Sequence, residues 1–192
     1  MSSKRTLFLI EVAIFTALAL VLDIIPFLKF KIWPAGGSIS FAMIPIFIVA
    51  FRWGLKGGLL SGFLWGILQI AVGDAYILNF WQGAIEYGFA FMVLGFAGVF
   101  ANAAQQSFKQ GENKMSFIYI MLGVLFGTAL RFTAHFVAGI IFFSDAAPEG
   151  QAAWVYSLVY NSTYLIPGFI LSTIVVYYLF YKQPRTILSS AA

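Results

Sequence analysis

Four polar residues lie inside long apolar runs: Glu86, Arg131, His135 and Asn161. A charge near the centre of a bilayer costs at least ~2.5–3.5 kcal/mol, so such residues face a protein interior and mark a site. Aromatic residues surround them in sequence, which suits a ligand cage more than a proton wire. One carboxylate among ring faces matches a flat cation: the rings supply stacking and cation–π attraction, and Glu86 supplies charge. Asn161 and Tyr156 offer donors and acceptors to a heterocycle, and His135 can stack, donate or accept. Each has a plainer alternative. Glu86 and Arg131 form a structural ion pair in one reading. His135 is then an interhelical hydrogen-bond partner. Trp33, Tyr76 and Trp154 fit an interfacial belt, the preferred reading for Trp154. Asp23 is read as a local cap or pair.

The composition says what must position these groups. The 192 residues are 61% hydrophobic and 9% charged, with a mean hydropathy of +0.92. A soluble domain carries about 25% charge, so this is an integral membrane protein with no room for a nucleotide-binding domain. Its net charge of +4 is read as loop lysines and arginines that orient helices, not as a nucleic-acid surface. There is no cysteine, no Gly-x-Ser-x-Gly, His-Glu-x-x-His or Walker motif, and one histidine. No catalytic residue, metal or cofactor is expected.

Six apolar segments are separable, at about 6–26, 39–52, 55–72, 80–104, 117–143 and 154–181, in a single membrane domain. The first stops at Pro26 and is as long as a full span of about 20 residues. It is read as a retained helix and not a cleaved signal. A linker, 27–37, holds Lys29, Lys31, Trp33 and Pro34. The second segment is short and is expected to lie partly buried in protein. Lys4/Arg5, Arg52/Lys56, Lys109/Lys114 and Lys182/Arg185 all fall on one side of a six-span arrangement. Both termini are therefore expected in the cytoplasm. Gly54, Gly58, Gly62 and Gly66 make a stripe that lets another helix approach closely, chiefly for internal packing. Ala13 and Ala17 form a smaller pair of the same kind. No strong internal repeat of the sort many self-sufficient transporters carry is visible.

In this arrangement Glu86 and Tyr87 lie near the outer end of the fourth helix. Arg131 and His135 share one face of the fifth, with Phe143 two turns further. Tyr156 and Asn161 occupy the first turns of the sixth. Polar and aromatic groups from separate segments converge at one depth, the pattern of a small-molecule pocket.

These residues also carry a family resemblance across nearly the whole chain. The pieces are Ala13-x-x-x-Ala17, Trp33, Ile44-Pro45, Phe51-Arg52-Trp53-Gly54, Trp65-Gly66, Ala75-Tyr76-Ile77-Leu78, Glu86-Tyr87, Arg131-Phe132-x-x-His135-Phe136 and Tyr156-Ser157-Leu158-x-x-Asn161. Together they resemble the thiamine-specific substrate-binding (S) component of bacterial energy-coupling factor (ECF) vitamin transporters. The resemblance implies an all-α bundle of six transmembrane helices in the bacterial cell membrane. Its pocket would open near the outer surface, with the loop carrying Trp33 as a lid. It assigns Glu86 to the cationic ligand and His135, Tyr156 and Asn161 to its rings. Tyr76, Tyr87 and Trp65 would line the pocket. Phe143 stands where related members can carry Trp, and Arg131 fits a position that is Lys or Arg. The missing motor would be a membrane coupling protein and two cytoplasmic ATPases, met through Ala13 and Ala17. An S component for riboflavin or a hydroxymethylpyrimidine, and a non-transport polytopic protein, are the alternatives.

Overall fold

The computed structural model describes residues 2–33 and 36–188; Pro34 of the expected linker lies outside them. Helix α1 (Ser2–Ile24) is apolar over most of its length and mostly exposed. Polar contacts at three levels fix it to the following helix. Glu11 accepts from Arg52 and Trp53, the Thr16 and Ser61 hydroxyls lie 2.9 Å apart, and Asp23 accepts from Gln69 Nε2. Hydrophobic sorting between helices is weak in lipid, so such hydrogen bonds supply register. Ala13 and Ala17 stay exposed on the opposite face.

After a 3₁₀ turn at Pro26–Leu28 the chain forms an antiparallel β-hairpin. β1 (Lys29–Trp33) and β2 (Gly36–Ser40) pair with Lys29 opposite Ser40 and Trp33 opposite Gly36. This differs from the expected linker and from a helix beginning at 39. The sequence Lys29-Phe30-Lys31-Ile32-Trp33 alternates with period two, a strand signal within an otherwise helical chain.

Helix α2 (Met43–Ala71) joins the second and third expected segments, with a break at Gly54, φ 71° and ψ −165°. That conformation is open to glycine and strained for other residues. The break reverses the chain. Met43 and Gln69 line the same cavity, whereas a straight helix would hold them about 39 Å apart. The first arm, 43–53, is about 16 Å long, too short to cross ~30 Å of hydrocarbon. Nearly all of it is buried, Ile46, Phe47, Val49, Ala50 and Phe51 completely. Carbonyls freed by the break are met from another helix: Gln105 Nε2 donates to Phe51 O at 2.8 Å and Arg52 O at 3.3 Å. Irregular backbone within a membrane protein requires such partners.

Helix α3 (Phe80–Lys109) follows, with a π-helical stretch at Ala84–Phe89 and a 3₁₀ stretch at Val93–Phe100. The glycine stripe of α2 packs on it. A methyl group at Gly58 would meet Gly95 Cα at 2.7 Å, and one at Gly62 or Gly66 would run into the carbonyl oxygens of Phe91 or Tyr87. The stripe is an internal seam. Helices α4 (Asn113–Phe142) and α5 (Ala153–Lys182) complete the bundle, and the short α6 (Pro184–Leu188) buries Ile187. The expected polar break at 105–116 shrinks to 110–112, because polar helix ends continue past the apolar segments. Five helices are long and apolar enough to cross a membrane, counting α2 once. The all-α, multi-pass membrane fold is as expected.

Candidate functional site

The hairpin, both arms of α2, and helices α3, α4 and α5 enclose a cavity of about 560 Å³ at one end of the bundle, within the usual range for small-molecule sites. Glu86, Arg131, His135, Asn161, Tyr156, Tyr87, Tyr76, Trp65 and Phe143 all line it. Trp33 is not among the lining residues. Its indole Nε1 donates to Thr163 Oγ1 at 2.9 Å, and its ring lies 5.4 Å from Tyr160 and 6.5 Å from Tyr156. It ties the hairpin to α5 from behind those tyrosines. Trp154 and Trp81 are exposed, as belt residues are.

Glu86 sits in the π-helical stretch. A π turn adds one residue and widens the helix, and here the adjacent Glu86 and Tyr87 both line the cavity. Each carboxylate oxygen has a donor: His135 Nδ1 lies 3.3 Å from Oε1, and Gln82 Nε2 donates to Oε2. Gln82 is completely buried. Its Nε2 also donates to Tyr76 O at 3.1 Å, and its Oε1 accepts from Leu78 N at 3.0 Å. Tyr87 Oη accepts from Tyr76 N at 2.8 Å. One glutamine and one tyrosine thus hold the α2–α3 loop against the carboxylate. The ion pair between Glu86 and Arg131 is not formed.

Arg131 instead lies between rings. Its guanidinium carbon is 4.1 Å from the Phe91 centroid and 5.2 Å from the Trp65 centroid, and Nε donates to His135 Nε2 at 3.2 Å. Arg131 and His135 are each 8% exposed, so ring faces and one hydrogen bond, not bulk water, solvate the cation. Facing them, Asn161 Nδ2 donates to Ser157 O at 2.8 Å and to Ser157 Oγ at 3.2 Å. Its Oδ1 accepts from Tyr164 Oη at 2.6 Å. One lone pair of that oxygen remains for a ligand. Ser157 Oγ donates to Phe136 O at 2.9 Å, which closes α4 on α5.

At the mouth, Lys29 of the hairpin lies 2.9 Å from Asp74 Oδ2 and 3.7 Å from Asp23 Oδ1. Asp23 therefore makes the local pair expected of it, and also lines the cavity. Amide and aromatic groups thus assemble a cage whose lining holds three carboxylates, Asp23 and Asp74 paired with Lys29 and Glu86 without a lysine or arginine partner among the described residues. No metal cluster occurs among the described residues.

The chain as a whole has relatives among known proteins. The family described as thiamine transporter protein (Thia_YuaJ) matches residues 9–188. The chain belongs to the thiamine transporter family. It is 40% identical over 190 residues to the "Thiamine transporter ThiT" of Bacillus subtilis (strain 168), covering 99% of this chain and 98% of that one. Against the protein of the same name from Lacticaseibacillus paracasei it is 31% identical, over 95% and 90% of the two chains. A solved structure of ThiT from Listeria monocytogenes superposes with a TM-score of 0.89 at 33% identity, covering 96% of this chain and 98% of that one. Relatives in this family are named for transport, not catalysis, and the chain is a multi-pass membrane protein of that family.

Several residues of this family member's site escaped the sequence reading. Gln82 acts behind the cavity wall and Ser157 on it, and nothing in a sequence separates their roles from those of other buried amides and hydroxyls. Gln69 was more accessible to inference: it is a polar residue in an apolar run, as Asn161 is, and it lines the cavity. Tyr160 and Tyr164 share the Tyr156–Asn161 helix at i+4 and i+8 from Tyr156, so the stripe they form was readable from spacing.

Proposed function

We propose that this chain is the thiamine-binding S component of an energy-coupling factor importer. It takes thiamine into the cavity from outside, and a separate coupling protein and two ATPases drive its release inside. Thiamine joins a permanently cationic thiazolium to an aminopyrimidine. The cavity offers a carboxylate for the first and hydrogen-bonding groups among rings for the second. One observation carries the reading: no Lys or Arg among the described residues pairs with Glu86. Its charge is held by neutral or weakly basic donors and is left for a cationic ligand. Glu86, His135, Tyr156 and Asn161 are the contacting groups. Tyr76, Tyr87, Trp65, Phe143 and Arg131 complete the walls, and Trp33 braces the hairpin that covers them. Termini lie in the cytoplasm, and the exposed Ala13 and Ala17 face of α1 meets the coupling protein, since small residues permit close helix approach.

The test is uptake of labelled thiamine by cells lacking their own thiamine uptake. They would carry this chain with or without the coupling protein and ATPases of the same genome. Uptake only with the full set is expected. Equal uptake by the chain alone would overturn the shared-motor reading, and no uptake with the full set would overturn the transport reading.

A further inference from the structure

We infer that Arg131 is a positioning residue that fixes the proton of His135 on Nδ1, so that an uncharged imidazole donates to Glu86. The inference starts from donor chemistry. A guanidinium N–H can only donate. Arg131 Nε lies 3.2 Å from His135 Nε2 in hydrogen-bonding geometry, so Nε2 must present its lone pair. A neutral imidazole then carries its one proton on Nδ1, and Nδ1 lies 3.3 Å from Glu86 Oε1. The chain of bonds runs Arg131 to His135 to Glu86 with one direction. Turning the ring over would place carbon atoms at both contacts and lose both bonds.

Arg131 is also held where it must be for this task. It and His135 are one turn apart on α4, and Phe91 and Trp65 bracket the guanidinium. No carboxylate among the described residues draws it away from the imidazole. The consequence deepens the thiamine reading and rests on it. A histidine beside a carboxylate tends to take a second proton and form an ion pair, which would neutralise Glu86. With Arg131 donating to Nε2 that second proton has no place. Glu86 is oriented by His135 without losing its charge to it.

The chain contains one histidine, so the test is unambiguous. The full chain, labelled with ¹⁵N-histidine and free of ligand in detergent at neutral pH, should show a protonated Nδ1 and a bare, pyridine-type Nε2. A proton on Nε2, alone or with one on Nδ1, overturns the inference, with no variant needed. Arg131→Met should lose the pyridine-type Nε2 signal, and Arg131→Lys, which keeps a donor, should retain it. An Arg131→Met spectrum identical to the parent's also overturns it. Thiamine affinity should fall roughly tenfold in Arg131→Met, the scale of one hydrogen bond involving a charged group, and less than about threefold in Arg131→Lys. Failure of the parent protein to bind thiamine would sink the function while leaving the tautomer result standing. Binding with the proton on Nε2 would do the reverse.

Discussion

Replacing Glu86 by Gln removes one charge and almost no volume. Two terms set the size of the effect. The first is attraction to the ligand's cation. Two unit charges at about 4–5 Å interact by roughly 4 kcal/mol at an effective dielectric constant of about 20. The Glu86 side chain is 17% exposed, so about half of that is a reasonable share. The second term is internal. Glu86 accepts on both oxygens, from His135 and Gln82, and a Gln amide can accept on only one side. Gln82 cannot turn over without losing its bonds to Tyr76 O and Leu78 N. One donor–donor contact results, costing on the order of 1–2 kcal/mol. The free variant should therefore melt a few degrees lower. Its affinity for thiamine should fall by about 2–3 kcal/mol, or roughly 30- to 150-fold. Calorimetric titration in detergent, with thiamine and with an isostere whose quaternary nitrogen is replaced by carbon, separates the terms. The uncharged isostere should lose much less. Equal losses for both ligands would refute the charge-pairing role of Glu86.

Other expectations follow from particular contacts. Gly66→Ala places a methyl group against the Tyr87 carbonyl oxygen, whereas one at Gly88 meets nothing within 4 Å. The first should lower thermal stability by about 1–3 kcal/mol and the second should leave the melting temperature unchanged. Asn161→Ala removes the acceptor of Tyr164 and the donors to Ser157, so thiamine affinity should drop at least roughly tenfold; unaltered titration curves would remove Asn161 from the site. Ala13→Trp or Ala17→Trp, on the exposed face of α1, should bind thiamine normally and abolish uptake in cells, and normal uptake would refute that docking face.

Much of the site was legible because the bilayer makes polar residues conspicuous. Glu86, Arg131, His135 and Asn161 stood out as expensive residues, and all four line one cavity. Their pairing was not legible. Arg131 and His135 share a helix face, and sequence spacing cannot say which of them meets Glu86; the π turn at Ala84–Phe89 also shifts that helix face in a way no fixed period anticipates. The hairpin was legible only in part: Lys29 to Ile32 alternate with period two, but the second strand, Gly36–Ser40, is mostly glycine and serine and gives no strand pattern of its own. The glycine stripe announced a close approach, and the structure supplies its partner in α3. The reversal at Gly54 was implied by charge placement, since Arg52 and Lys56 flank it, and the short second segment was expected to be partly buried; the complete enclosure of Ile46, Phe47, Val49, Ala50 and Phe51 follows from packing that only the assembled bundle defines.

The central claim, that this cavity holds a thiamine cation, is tested most directly by titrating the purified chain in detergent and following tryptophan fluorescence. Trp65 lines the cavity and Trp33 braces its cover, so occupancy should reach both. Saturable quenching by thiamine at submicromolar concentration, with none by riboflavin, is the predicted result. No response to thiamine, or the same response to riboflavin, would contradict it.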